Sequence, residues 1–327
     1  MDFSLIQALL LPLVFMIAGI GLLVKGGGWT VDSAVFIARR FGISPLVVGF
    51  TIIAFGTSLP ELVISVLANH EGSSGIALGN VLGSNIANVL AVIGITAIIF
   101  PLVSSSSAIL KDLIMMLVCT SLLAFLMLQG DIGRLAGAAM IVLLALYVFF
   151  QYKMAKKDEA VVPDNEHSPA FAKPVYAYVF LALGLAGIAL GAELLVTGAR
   201  DSAKIIGVPE AVIALSVIAL GTSLPELSTC IIAVRRGHHD IVLGNIIGSN
   251  VFNILMILGL TAVIKPIAAG SFAPQLINFD IWIVALTSGL FALLLVLFKG
   301  ISRAAGVVFC AAYLVYNVYI YAIYISG

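Results

Sequence analysis

Apolar residues run along this chain in long blocks separated by short polar connectors. Runs such as 85–103, 113–128, 135–150, 175–192 and 281–298 reach or approach the length a helix needs to cross a bilayer, about 20 residues. Helices are the expected form, because lipid offers no outside partner to backbone polar groups. The pattern predicts ten spans, near 5–24 (with a possible continuation to 38), 45–69, 76–99, 109–128, 132–152, 175–199, 208–233, 241–264, 277–298 and 303–325. The longest polar connector, KMAKKDEAVVPDNEHSPAFAKP at 153–174, is too short for a soluble domain and reads as a flexible linker. No basic residue precedes the first span and no small-residue cleavage site follows it, so it reads as an anchor and not a signal peptide.

Composition agrees with this pattern. Of 327 residues, 62% are hydrophobic and 10% charged, whereas soluble domains carry about 25% charged residues. With the linker placed inside, Arg39, Arg40, Lys111, Lys153, Lys156, Lys157, Lys173, Arg235, Arg236, Lys299 and Arg303 share its side, and Arg134, Arg200, Lys204 and Lys265 lie opposite. That excess puts the linker in the cytoplasm and both termini outside. A formal net charge of zero leaves no extended basic face for nucleic acid. Cys119, Cys230 and Cys310 fall singly within spans, which suggests core residues and neither a disulfide framework nor a metal site.

The hexapeptide GTSLPE occurs at 56–61 and again at 221–226, an offset of 165 residues. The same offset aligns Gly79-Asn80 with Gly244-Asn245, Gly83-Ser84-Asn85 with Gly248-Ser249-Asn250, Asn88 with Asn253, and Pro101 with Pro266. Upstream it aligns Gly26, Val31, Ala34, Ala38 and Gly42 with Gly191, Val196, Ala199, Ala203 and Gly207. The expected fold is therefore an all-α membrane protein of ten transmembrane helices arranged as two five-helix repeats, 1–152 and 175–327, joined by the 153–174 linker. An odd number of spans per repeat inverts one half relative to the other, a construction that places transporter sites near the bilayer midplane. Duplication retained for packing alone would explain repeated glycines but not repeated buried carboxylates.

Glu61 and Glu226 each follow a proline inside an apolar span, where a lone charge costs at least about 2.5–3.5 kcal/mol. Placed by symmetry at matching depths, they would repel one another unless one took a proton or a cation sat between them. Pairing with a buried base is the alternative, yet neither motif's span contains a lysine or arginine. Pro60 has no N–H for the carbonyl of Gly56, and Pro225 none for Gly221, so each helix breaks. Carbonyls around 54–57 and 219–222 then become available as ligands. Thr57, Ser58 and Glu61 share one half of the helix, as do Thr222, Ser223 and Glu226. In the next span Asn80, Ser84 and Asn88 form a stripe, repeated as Asn245, Ser249 and Asn253. These side chains would line the site or bond between helices, the second role suiting Asn85 and Asn250 best because they stand off the stripe. Gly79, Gly83, Gly244 and Gly248 would allow close helix approach. Oxygen-only ligands with two anions suit hard cations, calcium and sodium before magnesium. His70, His167, His238 and His239 all lie in or beside loops, away from such a site.

GTSLPE followed by GNVLGSNIAN, and GTSLPE followed by GNIIGSNVFN, resemble the paired alpha-repeats of the calcium/cation antiporter superfamily, most closely the prokaryotic sodium/calcium exchangers. The likeness covers nearly the whole chain, with the repeat motifs at about 51–101 and 216–266. It implies a core of the second, third, seventh and eighth spans, with the first and sixth sliding across it. It also implies that Glu61 and Glu226 bind calcium together with the carbonyls of Thr57 and Thr222. Flanking sodium sites would use Ser58, Ser84, Ser223 and Ser249 with the carbonyls of Ala54 and Ala219. Asn88 would line the centre, and Asn253 occupies its matching position. Many relatives have an aspartate at one of the two positions held here by Asn88 and Asn253, so the centre of this chain carries at most two negative charges. A second departure is Gly28, which stands where the other half has Glu193.

The resemblance implies a secondary antiporter exporting calcium against sodium entry in a prokaryotic cytoplasmic membrane. Its partners would be the two ions and the lipid bilayer, with no cofactor and no obligatory protein partner. Proton/calcium exchange is the nearest alternative, since facing carboxylates also carry protons. Relatives of that kind typically place a glutamate soon after the GN pair, where this chain has Val81-Leu82 and Ile246-Ile247. A passive channel would show flux without exchange, and has no need of inverted repeats around one site. An intramembrane protease would need a serine–histidine pair or two catalytic aspartates; no span holds a histidine, and Asp32, Asp112 and Asp280 share no motif.

Overall fold

The computed structural model describes residues 3–104, 109–155, 171, 173–206, 221–268 and 270–326. Its elements are almost entirely helical. Helix α1 is a single rod, Phe3–Phe41, so the first span takes its longer form. A broken pair follows, α2 (Pro45–Thr57) and α3 (Leu59–His70), bent by 45°. Then come α4 (Ser74–Ile99), the short strand β1 (Leu102–Val103), α5 (Ile109–Gln129), α6 (Arg134–Ala155) and α7 (Pro174–Ile205). After the undescribed 207–220 come α8 (Leu224–Arg235), α9 (His239–Ile264), α10 (Leu276–Phe298), strand β2 (Gly300–Ile301) and α11 (Arg303–Ser326). Among the described residues eight helices are long and apolar enough to span a membrane, and the bent α2–α3 pair makes a ninth. The expected seventh span, 208–233, falls partly outside them.

Burial sorts these helices into layers. Helices α4 and α9 are the most enclosed, while α1, α6, α7, α10 and α11 turn leucine, valine and phenylalanine outward. An apolar exterior around a more polar interior is the arrangement lipid requires. The small strands answer the same demand at the loops. Leu102 and Val103 pair antiparallel with Ile301 and Gly300, and Ile132 bridges to Ile267. Both pairings join loops that alternation of the spans puts on one side.

Contacts recur at the sequence offset. A Cβ on Gly19 would lie 2.7 Å from the carbonyl oxygen of Gly191, and one on Gly26 would lie 2.7 Å from that of Gly184. Gly19 aligns with Gly184 and Gly26 with Gly191, so the two contacts are one contact made reciprocally. They bring α1 and α7 together at backbone distance, as small residues do in membranes. Likewise Gly244 and Gly248 of α9 lie under the carbonyls of Leu46 and Phe50 of α2, where a Cβ would stand 2.3 Å from each oxygen. The matching partners of Gly79 and Gly83 would be Ala211 and Leu215, outside the described residues.

Candidate cation site

The first half of the site is made by the break at Ser58, whose φ of −86° and ψ of 2° interrupt the helix between α2 and α3. Ser223 repeats it with φ −92° and ψ 3° before α8. Proline follows two residues later in each case, near the helix start where a missing N–H costs nothing. Serine, then glutamate three residues on, is the pattern of a capping box. Neither serine makes the cap bond. Ser58 Oγ and Ser223 Oγ are buried and without a hydrogen-bond partner. Glu61 and Glu226 stand in the first turns of α3 and α8, where the positive helix ends favour an anion.

The second half comes from α4 and α9, which cross near the point relating the repeats. Asn85 Nδ2 donates to the carbonyl of Asn250, its own counterpart, at 3.4 Å. Around it lies a reciprocal pair. Asn88 Nδ2 donates to Asn250 Oδ1 at 3.1 Å, and Asn253 Nδ2 donates to Asn85 Oδ1 at 3.0 Å. Each central amide therefore spends its N–H group sideways and leaves its carbonyl oxygen unpartnered. At Asn88–Ile93 and Asn253–Leu258 both helices widen into π turns, a distortion frequent at functional sites.

Nine buried side-chain oxygens of these breaks and stripes have no hydrogen-bond partner. They are Oε2 of Glu61, both carboxylate oxygens of Glu226, the hydroxyls of Ser58, Ser84, Ser223 and Ser249, and Oδ1 of Asn88 and Asn253. Glu61 and Glu226 are each 1% exposed, and Glu226 acts electrostatically on Glu61. Thr57 and Ser249 flank the Glu226 carboxylate. Neither glutamate forms an ion pair among the described residues. No three His, Cys, Asp or Glu side chains converge among them either.

Other expected ligands are differently placed. The carbonyl of Ala54 already accepts the Ser58 N–H at 3.1 Å and the Thr57 hydroxyl at 3.4 Å. Thr57 is buried and Thr222 half-buried; Ala219 lies outside the described residues. Asn80, expected on the polar stripe, turns to Ser65 Oγ (2.9 Å) and the Glu61 carbonyl (3.1 Å). Its counterpart Asn245 turns to Cys230 Sγ (3.6 Å), the residue aligned with Ser65. These two asparagines fasten α4 to α3 and α9 to α8. The three aspartates set aside above are likewise engaged separately: Asp32 with Arg236, Asp112 with Tyr147 and Gln151, Asp280 with Tyr316 and Gln275.

The profile of the sodium/calcium exchanger proteins matches residues 11–153 and 176–322. The chain belongs to that family. It is 34% identical over 293 residues to inner membrane protein YrbG of Escherichia coli, covering 88% of this chain and 89% of YrbG. It is 32% identical over 295 residues to sodium/calcium exchanger MaX1 of Methanosarcina acetivorans, covering 78% of this chain and 83% of MaX1. The fold superposes on the sodium-calcium exchanger NCX_Mj with a TM-score of 0.80 at 30% identity, over 95% of this chain and 99% of that one. The chain is accordingly an integral membrane protein and a cation/calcium antiporter, in a family of exchangers and not of enzymes. In this exchanger Asn85 and Asn250 bond between helices, as their place off the stripe suggested, and their partners include Asn88 and Asn253. The register at 165 residues contains that signal, since it pairs position 85 with position 250 and the two are in hydrogen-bond contact.

Proposed function

We propose that the chain exchanges calcium for sodium by alternating access, with both ions bound as cargo among the partnerless oxygens. That cluster is the observation carrying the proposal. A buried polar group without a partner costs about 1–3 kcal/mol, and a charged one more; nine together make sense as ligands held ready for a cation. All are oxygens, the donors that hard cations take. Glu61 and Glu226 would hold calcium with the carbonyls of Thr57 and Thr222. Ser58, Ser84, Ser223 and Ser249, with the carbonyls of Ala54 and Ala219, would form flanking sodium sites, and Asn88 and Asn253 the centre. One calcium balances the two carboxylates; three sodium ions would leave one positive charge, so a third sodium binds less favourably here.

The reading extends to the whole molecule as ten spans in two inverted repeats, 1–152 and 175–327, in a prokaryotic cytoplasmic membrane with the 153–174 linker inside and both termini outside. Reciprocal contacts at the 165-residue offset support the inversion. The test is calcium uptake into proteoliposomes loaded with sodium and diluted into sodium-free medium at equal pH on both sides. Uptake that requires internal sodium, and disappears in Glu61→Gln and in Glu226→Gln proteins that remain folded, is the expected result. Uptake driven only by a proton gradient would replace sodium with protons as the counter-ion. Coupled uptake in both variants would overturn the site.

A further inference from the structure

The two faces of the molecule are not closed alike. Arg236, just beyond α8, reaches α1: its Nη1 donates to Asp32 Oδ1 and, at 3.0 Å, to the carbonyl of Gly28. Gly28 makes the room, since a Cβ there would lie 3.3 Å from Nη2. Beside it, a Cβ on Gly27 would lie 2.4 Å from Cδ1 of Ile232 of α8. Phe36, one turn further along α1, packs on Phe171 at the end of the linker, with ring centroids 5.2 Å apart. The clamp therefore lies toward the linker face.

The 165-residue offset identifies what stands on the other face. Gly27, Gly28 and Asp32 of α1 become Ala192, Glu193 and Thr197 of α7, while Ile232 and Arg236 become Leu67 and Glu71 at the end of α3. None of the contacts is repeated. Leu67 is 56% exposed, Glu71 and Glu193 are exposed, and α7 makes no packing on α3 comparable to that of α1 on α8. Where one face sets a guanidinium against a carboxylate and a carbonyl, the other has Glu71 and Glu193 at the equivalent positions, and neither makes such a pair among the described residues.

We infer that Arg236, Asp32 and the Gly28 carbonyl form a one-sided latch. It holds α1 against α8 and shuts the path to the cation site from the linker face, and it has no counterpart between α7 and α3 on the opposite face. Gly28 is the residue that permits this, because an acidic side chain there, as at Glu193, would occupy the space the guanidinium crosses. The inference rests on the alternating-access reading above. The pair is about one-third exposed on each side chain, 33% and 31%, so its loss shifts the balance modestly, about fivefold at most.

The experiment uses full-length protein in detergent micelles, with the three native cysteines replaced by serine and one reporter introduced at a time, Ile232→Cys or Leu67→Cys. A water-soluble maleimide should label Leu67→Cys rapidly and Ile232→Cys slowly. Asp32→Asn should raise the Ile232→Cys rate about fivefold, and the swapped pair Asp32→Arg with Arg236→Asp should bring it back down. Arg236→Gln, which removes the guanidinium, should raise the Ile232→Cys rate likewise and leave Leu67→Cys unchanged. Unchanged rates in Asp32→Asn and in Arg236→Gln overturn the latch; if Asp32→Asn does not fold, the Arg236→Gln result alone decides. Sodium-driven uptake, measured in parallel, separates the two ideas: labelling that shifts without sodium-dependent uptake overturns sodium coupling, and uptake without a labelling shift overturns the latch.

Discussion

Asn85→Ala would test whether amide orientation sets cation affinity. Asn85 Oδ1 accepts the amide N–H of Asn253 at 3.0 Å, deep in the protein where both residues are 1% exposed. Truncation leaves that donor unsatisfied, at about 1–3 kcal/mol. The Asn253 amide then has no reason to keep its oxygen toward the site. If the whole cost appears in binding, half-saturating calcium rises between about fivefold and about 150-fold. Asn80→Ala serves as the control. It removes comparable bonds, to Ser65 and the Glu61 carbonyl, and should lower thermal stability with a smaller effect on affinity. The assay is calcium-dependent uptake together with calcium titration of the melting temperature. An Asn85→Ala protein that melts earlier but keeps the parental calcium dependence would refute the orientation argument.

Other expectations follow from the same geometry. Asn253→Asp adds a third negative charge at the centre and should steepen and strengthen the dependence of uptake on sodium; an unchanged sodium curve with transport intact contradicts the charge count. Gly248→Ala sets a methyl 2.3 Å from the backbone oxygen of Phe50 and 2.8 Å from Ala54 Cβ, and should destabilise by about 1–3 kcal/mol, read as a lowered melting temperature. His238, half-buried in the turn before α9, is held below its ordinary value of 6.5 by burial first, then by Arg236, Arg39 and His239. The unfolded chain therefore takes up its proton first as pH falls. Stability should be retained above about pH 6.5 and decline below it, and His238→Gln should flatten that decline in melting curves from pH 7.5 to 5. A slope unaffected by the substitution would remove His238 as its source.

Much of the molecule can be read from its one-dimensional pattern, because lipid restricts the choices. Long apolar runs become helices since no other backbone form satisfies its polar groups in hydrocarbon, and proline breaks a helix wherever it lacks an N–H to give. The interruptions at Ser58 and Ser223, the depth of Glu61 and Glu226 and the likeness of the halves follow from those local rules. The same rules leave S-x-x-E open to two uses, a closed capping box or a free hydroxyl beside a free carboxylate.

Tertiary packing makes that choice, and others that spacing along a helix cannot make. Asn80, Ser84 and Asn88 lie on one stripe, yet Asn80 faces a neighbouring helix while Ser84 and Asn88 retain unpartnered oxygens. Asn85 and Asn250 stand off the stripe, yet they bond Asn253 and Asn88, because helix crossing brings together residues 165 positions apart. Gly28 looks like a lost acidic residue until Arg236 is seen to occupy its space. A repeated sequence specifies two similar halves. How differently their faces close depends on a guanidinium meeting a carboxylate on one side with no such pair at the equivalent positions on the other, and pairing between residues so far apart in sequence is decided only when the helices are packed.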